Sequence, residues 1–254
     1  MNNTSTYNKI IDNLQFLKSK ESLDVLDKTL DHVNKNNLSF IDGFFYLTEA
    51  QVEKKRDNLI KHSVKMAGFP KAKTISEFDF EYQPSINQHQ IYDMNSLRFI
   101  EKKENIIFYG NSGVGKTHLA TAIGVTAAQN RNSTYFIKCA DLMEILHKAH
   151  LEGRLAERLK KFCGYKLLII DELGYLPISK DDSKLFFQLI DKRYERNSTI
   201  ITTNINFSQW DEIFGDSLIA GAIIDRLLHH ATVITIKGKS YRLQHLYNQE
   251  DVEC

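Results

Sequence analysis

The residues Gly110-Asn111-Ser112-Gly113-Val114-Gly115-Lys116-Thr117 satisfy the pattern G-x-x-x-x-G-K-[ST] at every fixed position. Glycines at this spacing let backbone N–H groups turn inward around a polyphosphate, and a following helix N-terminus adds its partial positive charge. Lys116 is then placed to reach the β- and γ-phosphates of ATP, and Thr117 to ligate Mg²⁺. Further along, Leu167-Leu168-Ile169-Ile170-Asp171-Glu172 is an apolar run that ends in two carboxylates. Asp171 suits Mg²⁺ held through its water shell, and Glu172 suits orienting or deprotonating an attacking water. That second carboxylate favours hydrolysis over phosphoryl transfer to a bound acceptor, which sets a small-molecule kinase behind an ATPase. A third run, Thr199-Ile200-Ile201-Thr202-Thr203-Asn204, closes on an amide, which is either a turn former or a polar group offered to the same phosphates.

For such groups to meet, the chain must place loop ends side by side. Short β-rich runs at Asn105–Tyr109, Thr134–Lys138, Lys166–Ile170, Thr199–Thr203 and Thr232–Ile236 alternate with helical patterns, one of them His118–Gln129. This alternation predicts an α/β architecture, a five-stranded parallel sheet flanked by helices on both faces. The unbroken apolar stretch Leu167–Ile170 fits a strand covered on both sides. Before residue 70 the rhythm is different. Apolar residues recur at helical steps (Ile10, Leu14, Leu17, then Leu23, Leu26, Leu30, Val33) with no strand. Ser39 and Asp42 resemble a capping box that opens a third helix, and Gly68 with Pro70 is a stop signal. The reading is a small all-helical domain over residues 1–70 and an α/β domain over 71–254, with the boundary within 67–75.

With 254 residues, 42% hydrophobic and 26% charged, the chain can bury a sizeable core and matches an ordinary globular protein. No apolar run approaches the roughly 18 residues of a membrane span, and the polar start Met1–Asn8 does not read as a signal peptide. The expectation is a cytoplasmic protein with no membrane partner. Cys139, Cys163 and Cys254 are odd in number and widely spaced, so they read as free thiols. Charge is unevenly spread: residues 1–73 hold 12 Lys/Arg against 9 Asp/Glu, and the remainder 21 against 23. Within Glu53–Lys73 stand Lys54, Lys55, Arg56, Lys61, Lys65, Lys71 and Lys73 against Glu53 and Asp57. Lys54, Lys55, Arg56, Lys61 and Lys65 are therefore candidates to meet a DNA backbone by counterion release, the alternative being a solvated helix face.

Taken together, Gly110–Ala120, Leu167–Tyr175, Arg193-Tyr194-Glu195-Arg196, Thr202-Thr203-Asn204, Asp225-Arg226-Leu227-Leu228-His229-His230-Ala231 and Gly238-Lys239-Ser240-Tyr241-Arg242 resemble the IstB family, ATPase helpers of insertion-sequence transposition. That family is similar in turn to DnaC-type replicative helicase loaders and to the initiator clade of AAA+ proteins. The resemblance implies an AAA+ core in which the strand ending at Asn204 lies between the other two motif strands, with Asn204 sensing the γ-phosphate. It also implies ATP-dependent homo-oligomers on duplex DNA, bound without sequence preference, with ATP sites at subunit interfaces and a partner transposase of the same element. Arg226 stands at the position of an arginine finger supplied to a neighbour's ATP, with Arg193 and Arg196 as competitors, and Arg242 at that of a second phosphate sensor. A helicase loader is the runner-up function. One departure is that only 18 residues follow Ile236, so the C-terminal helical lid is expected to be reduced to a stub.

Some other residues invite chemistry. His118 directly follows the phosphate loop and is counted with the nucleotide-binding stretch, its ring read as a packing or polar contact. His229 and His230 are adjacent, and adjacent residues on a helix diverge by about 100°, which disfavours shared chelation of a metal. Phe207, Trp210 and Phe214 have core spacing rather than that of a base-stacking platform. Tyr175 and Lys180 follow the Asp171–Glu172 run in a segment expected to face DNA or a central pore.

Overall fold

The computed structural model describes residues 3–243. The reading of Cys254 as a free thiol, and most of the C-terminal stub, concern residues outside that range. Two compact units are present, Met1–His62 and Ser63–Cys254.

The first unit is helical throughout: α1 (Asn3–Phe16), α2 (Lys20–Asn36) and most of α3 (Phe40–Met66). Helix α2 buries Leu26 and Thr29, and its Ser22 hydroxyl donates to the Leu47 carbonyl on α3 at 2.9 Å. The start of α3 is a reciprocal cap. Ser39 N–H donates to the Asp42 carboxylate at 3.1 Å, and Asp42 N–H to the Ser39 hydroxyl at 3.3 Å. Both orphan donors are satisfied there, and the Ser39 hydroxyl, which donates to the Asp42 carboxylate at 2.6 Å, together with the Ser39 N–H pulls that carboxyl below its ordinary value. The helix ends at Met66, two residues before Gly68, which takes a positive φ of 75°.

In the second unit α4 (Gln88–Asn95) and α5 (Arg98–Lys102) precede β1 (Asn105–Gly110), followed by α6 (Lys116–Gln129), β2 (Thr134–Lys138), α7 (Cys139–Leu151) and α8 (Leu155–Gly164). Then come β3 (Leu167–Leu173), α9 (Lys180–Arg193), β4 (Ser198–Thr203), α10 (Trp210–Phe214), α11 (Ser217–Leu228) and β5 (Ala231–Ile236). The five strands form one sheet in the order β2-β3-β4-β1-β5, and every pairing is parallel. Period-two alternation divides the core. Ile106, Phe108, Ile169 and Ile200 pack with Ile91, Leu119 and Ile123 on one face, while Ile107, Leu168, Ile170 and Ile201 pack with Leu142, Phe186, Trp210 and Ile223 on the other. Trp210 is fully buried, as its core spacing requires. Among the described residues no helix is long and apolar enough to cross a membrane.

Parallel strands all end on the same edge, so Gly110, Asp171-Glu172 and Asn204 are carried to one side of the sheet. Because β4 lies between β3 and β1, Asn204 falls between the other two motifs. This is the strand order expected from the family resemblance.

Candidate nucleotide site

At the C-terminal edge of the sheet lies a cleft of about 440 Å³, lined by the phosphate loop, Glu172, Thr202–Asn204, the segment from Lys73 to Gln83, and Tyr241-Arg242. Its size suits a nucleotide. The loop's glycines are required by shape as well as flexibility. Gly110, Gly113 and Gly115 have φ of 154°, 80° and 100°. A Cβ on Gly113 would stand 2.0 Å from the Ser240 hydroxyl oxygen, and one on Gly115 would stand 2.4 Å from the Phe78 ring.

Lys116 opens α6 and folds back across the loop, donating to the carbonyls of Gly110 and Asn111 at 2.7 Å each. Burial pushes its ammonium below the ordinary lysine value, Asp171 and Glu172 oppose that, and the Arg242 guanidinium adds to it. Thr117 donates its hydroxyl to Asp171 Oδ1 at 2.9 Å. Asp171 is 2% exposed, and burial raises its carboxyl above the usual range despite hydrogen bonds from Thr202 and Thr117. The hydroxyl and carboxylate form a hard oxygen pair at the root of the phosphate loop, a donor set that suits Mg²⁺.

Strand β3 loses its regular register with β4 between Ile170 and Leu173, and Glu172 there has φ of 60°. A bulge of this kind re-aims side chains, and it turns Glu172 into the cleft while Asp171 stays beneath it. The strained backbone is held by Thr202, whose hydroxyl accepts from Glu172 N–H at 3.0 Å and donates to Asp171 Oδ1 at 2.5 Å. Glu172 Oε2 also pairs with Lys138 Nζ at 3.0 Å. Lys138 ends β2, next to β3 in the sheet, and the Glu172 contact raises its ammonium above the ordinary lysine value.

Arg242 lines the cleft in cis. It is placed by the short 3-10 turn Tyr241–Leu243, whose first N–H donates to the Gly113 carbonyl at 3.0 Å. Gln83 donates to the Lys239 carbonyl at 2.9 Å and Tyr82 to that of Ser240 at 3.2 Å, so the stub is tied down beside the loop. His118 shares a hydrogen bond with the Thr74 carbonyl at 2.9 Å and meets the Phe78 ring edge-on. It holds the strap at residues 74–78 against α6, and burial lowers its imidazole's pKa.

The other arginines separate sharply. Arg226 lies in the last turn of α11, near the N-terminal edge of the sheet, pairing with Asp191 at 2.7 Å and lying 4.7 Å over the Phe187 ring. One strand length, about 20 Å, separates that edge from the cleft. Arg193, a sequence-level competitor for the finger, is 1% exposed. It donates to the carbonyls of Phe162 and Tyr165 at 2.8 Å each, to Thr199 Oγ1 at 3.1 Å and to the Ser198 carbonyl. Its burial lowers its pKa to about 10. This is a structural arginine, and it cannot extend into a neighbour. Arg196 stays exposed.

The basic candidates Lys54, Lys55, Arg56, Lys61 and Lys65 are all exposed on α3. They do not share a face. Lys54 and Lys61, two turns apart, point the same way, whereas Lys55 and Arg56 are rotated from them by about 100° and 200°. Arg56 also stands 3.9 Å from Glu49. Tyr175 is 72% exposed, as a contact loop would require, but Lys180 pairs with Asp216 at 3.0 Å. Sequence reasoning missed Lys138, Thr202, Phe78 and Gln83, and it grouped Lys73 with the basic stretch although Lys73 lines the cleft. Only Thr202 lies in a motif segment, and no role was read for it there. Strand adjacency alone brings Lys138 and Thr202 to Glu172.

The profile of the family described as IstB-like ATP binding protein matches residues 13–249. The chain is 54% identical to the Insertion sequence IS232 putative ATP-binding protein of Bacillus thuringiensis subsp. berliner, over 97% of this chain and 99% of that protein. It is 42% identical to the Insertion sequence IS5376 putative ATP-binding protein of Geobacillus stearothermophilus, over 87% and 88% of the two chains. Among solved structures it resembles DnaI, with a TM-score of 0.55 at 21% identity, covering 65% of this chain and 91% of that one. It also resembles the DnaC helicase loader, with a TM-score of 0.52 at 24% identity, covering 66% and 98%. At those identities the likeness is one of fold, the AAA+ fold, with its sheet flanked by helices. The phosphate loop, the strand-end carboxylates and the match along nearly the whole chain lead to one conclusion: this protein belongs to the IstB-like ATP-binding protein family.

Proposed function

We propose that this protein hydrolyses ATP as a timing switch in insertion-sequence transposition, assembling on duplex DNA and presenting it to the transposase of the same element. The observation that carries the reading is the convergence of Lys116, the Thr117–Asp171 pair and Glu172 on one cleft, with Arg226 at the far edge of the sheet. Lys116 and the loop N–H groups bind the phosphates, and Thr117 and Asp171 hold Mg²⁺, which supplies charge neutralisation on the phosphate oxygens. Glu172 orients a water and takes its proton as the terminal phosphate leaves ADP, with Asn204 contacting that phosphate. Arg226 is about 20 Å from its own phosphate loop, so it serves the ATP of a neighbouring copy, and hydrolysis belongs to the assembled state. The relatives' descriptions as insertion-sequence proteins favour transposition over helicase loading.

The test is ATP turnover with and without duplex DNA, paired with ATP-dependent sedimentation on that duplex. We expect DNA to raise turnover, and Glu172→Gln to retain ATP binding, lose turnover and remain sedimented with DNA. If DNA leaves turnover unchanged and ATP leaves sedimentation unchanged, the switch is not of this kind. Co-purification with a replicative helicase in place of the transposase would move the protein to the loader reading.

A further inference from the structure

The geometry points to a transition-metal site, of a kind suited to Zn²⁺, formed by Glu195, His229 and His230 at the N-terminal edge of the sheet, opposite the ATP cleft. The inference is independent of the hydrolysis reading. Adjacent histidines within a helix diverge too far to share an ion, but here His229 is the C-cap of α11, still in helical conformation, and His230 leaves the helix in the turn before β5. Their ring centroids approach to 4.0 Å. One ligand atom each from Glu195, His229 and His230 lies within 4.8 Å of the others. His230 Nε2 is 3.2 Å and His229 Nδ1 3.9 Å from the same carboxylate oxygen, Glu195 Oε1. A tetrahedral ion about 2.1 Å from each ligand sets the ligands about 3.4 Å apart. The two separations from Glu195 Oε1 bracket that value, and an ion completes the triangle by drawing the two imidazoles together.

Ligand chemistry selects the ion. Two imidazoles and one carboxylate suit Zn²⁺ and are too nitrogen-rich for Mg²⁺ or Ca²⁺. Three protein ligands leave the fourth position to water. The Tyr194 hydroxyl stands 2.5 Å from His229 Nδ1. An ion bound at Nδ1 displaces that phenol, which is left to bond the water. The backing is firm. Asn105 N–H donates to the His230 carbonyl at 2.7 Å, its side-chain amide donates to the Leu227 carbonyl at 3.1 Å, and His229 N–H bonds back to Asp225 at 3.0 Å. The site therefore joins the segment after α9 to the turn between α11 and β5, beside the helix that carries Arg226.

The test is a titration of the full chain, without a histidine tag, with Co²⁺ and then Zn²⁺ in excess Mg²⁺, read by visible absorption and by metal retained after dialysis. We expect one tight equivalent per chain with a low-coordinate Co²⁺ spectrum that Zn²⁺ displaces, and a thermal midpoint raised by Zn²⁺. Glu195→Gln combined with His230→Asn should weaken that equivalent at least tenfold and abolish the thermal shift. His147→Asn, which breaks a separate surface pair with Asp182, should leave both unchanged. A chain with no tight equivalent, or one whose tight equivalent survives the double variant, overturns the proposal. Comparing midpoints without metal separates ligand loss from misfolding.

Discussion

Asp171 is the residue at which stability and function conflict most directly. Its carboxyl is buried in the sheet edge and raised above its ordinary value of 3.8, chiefly by desolvation. For an acid whose folded pKa is raised, burial costs nothing below the unfolded pKa, and the cost grows as pH climbs through the raised folded value. Asn at this position keeps an oxygen to accept from Thr117 and Thr202 and carries no charge. Asp171→Asn is therefore expected to raise the thermal midpoint of nucleotide-free protein at neutral pH and to gain progressively less as pH falls toward 4, while Mg²⁺-dependent turnover is lost. Thermal scans across pH check it, and a variant less stable than wild type at neutral pH would contradict the desolvation account. Lys116 bears a desolvation cost of the same kind, which shifts its pKa the other way because its charged form is the protonated one.

At the scale of elements, α9 and α11 show why two arginines considered for the same role have unrelated surroundings. Arg193 ends α9 and caps carbonyls from α8, the turn after it and β4, all out of solvent. Arg193→Ala leaves several buried acceptors unpaired and is expected to cost about 3 kcal/mol or more, on the order of 10 °C in Tm. Arg226 holds a partly exposed pair with Asp191, worth less than about 1 kcal/mol, and a contact with the Phe187 ring of similar size. Arg226→Ala is accordingly expected to leave Tm and ATP affinity near wild type while lowering turnover of the assembled protein by about 10³-fold, as for arginines supplied in trans. Melting curves and turnover on both variants separate the roles. Normal hydrolysis by Arg226→Ala would pass the finger to Arg196.

For the whole molecule, net charge of +1 says nothing about DNA, whereas the helical phase of α3 does. Lys54 and Lys61 share a face that Lys55 and Arg56 do not. If that face meets the duplex, replacing both lysines with glutamine should weaken binding on every sequence alike and reduce the slope of log K against log salt by about 2. Binding isotherms at several salt concentrations measure this. An unchanged slope would place the DNA contact away from α3.

Much of the fold was legible because its signals are local. Five apolar runs, the capping box at Ser39 and the eight-residue phosphate loop each state their own conformation within a few residues, and their alternation is enough for a parallel sheet. The place of the Asn204 strand between the other two followed from the family resemblance, whereas the side-chain contacts between strands distant in sequence required tertiary structure. Lys138 and Glu172 meet because β2 and β3 are neighbours, and Thr202 braces Asp171 because β4 sits beside β3. Arg193 is removed from the catalytic candidates only by burial, which charge and spacing do not reveal. The histidine pair was judged by helical phase, a rule that does not extend past the C-cap at His229. The physical reason is common to all four: covalent neighbours set the local backbone, but pairing, burial and helix termination depend on packing between segments whose separation along the chain carries no periodic trace.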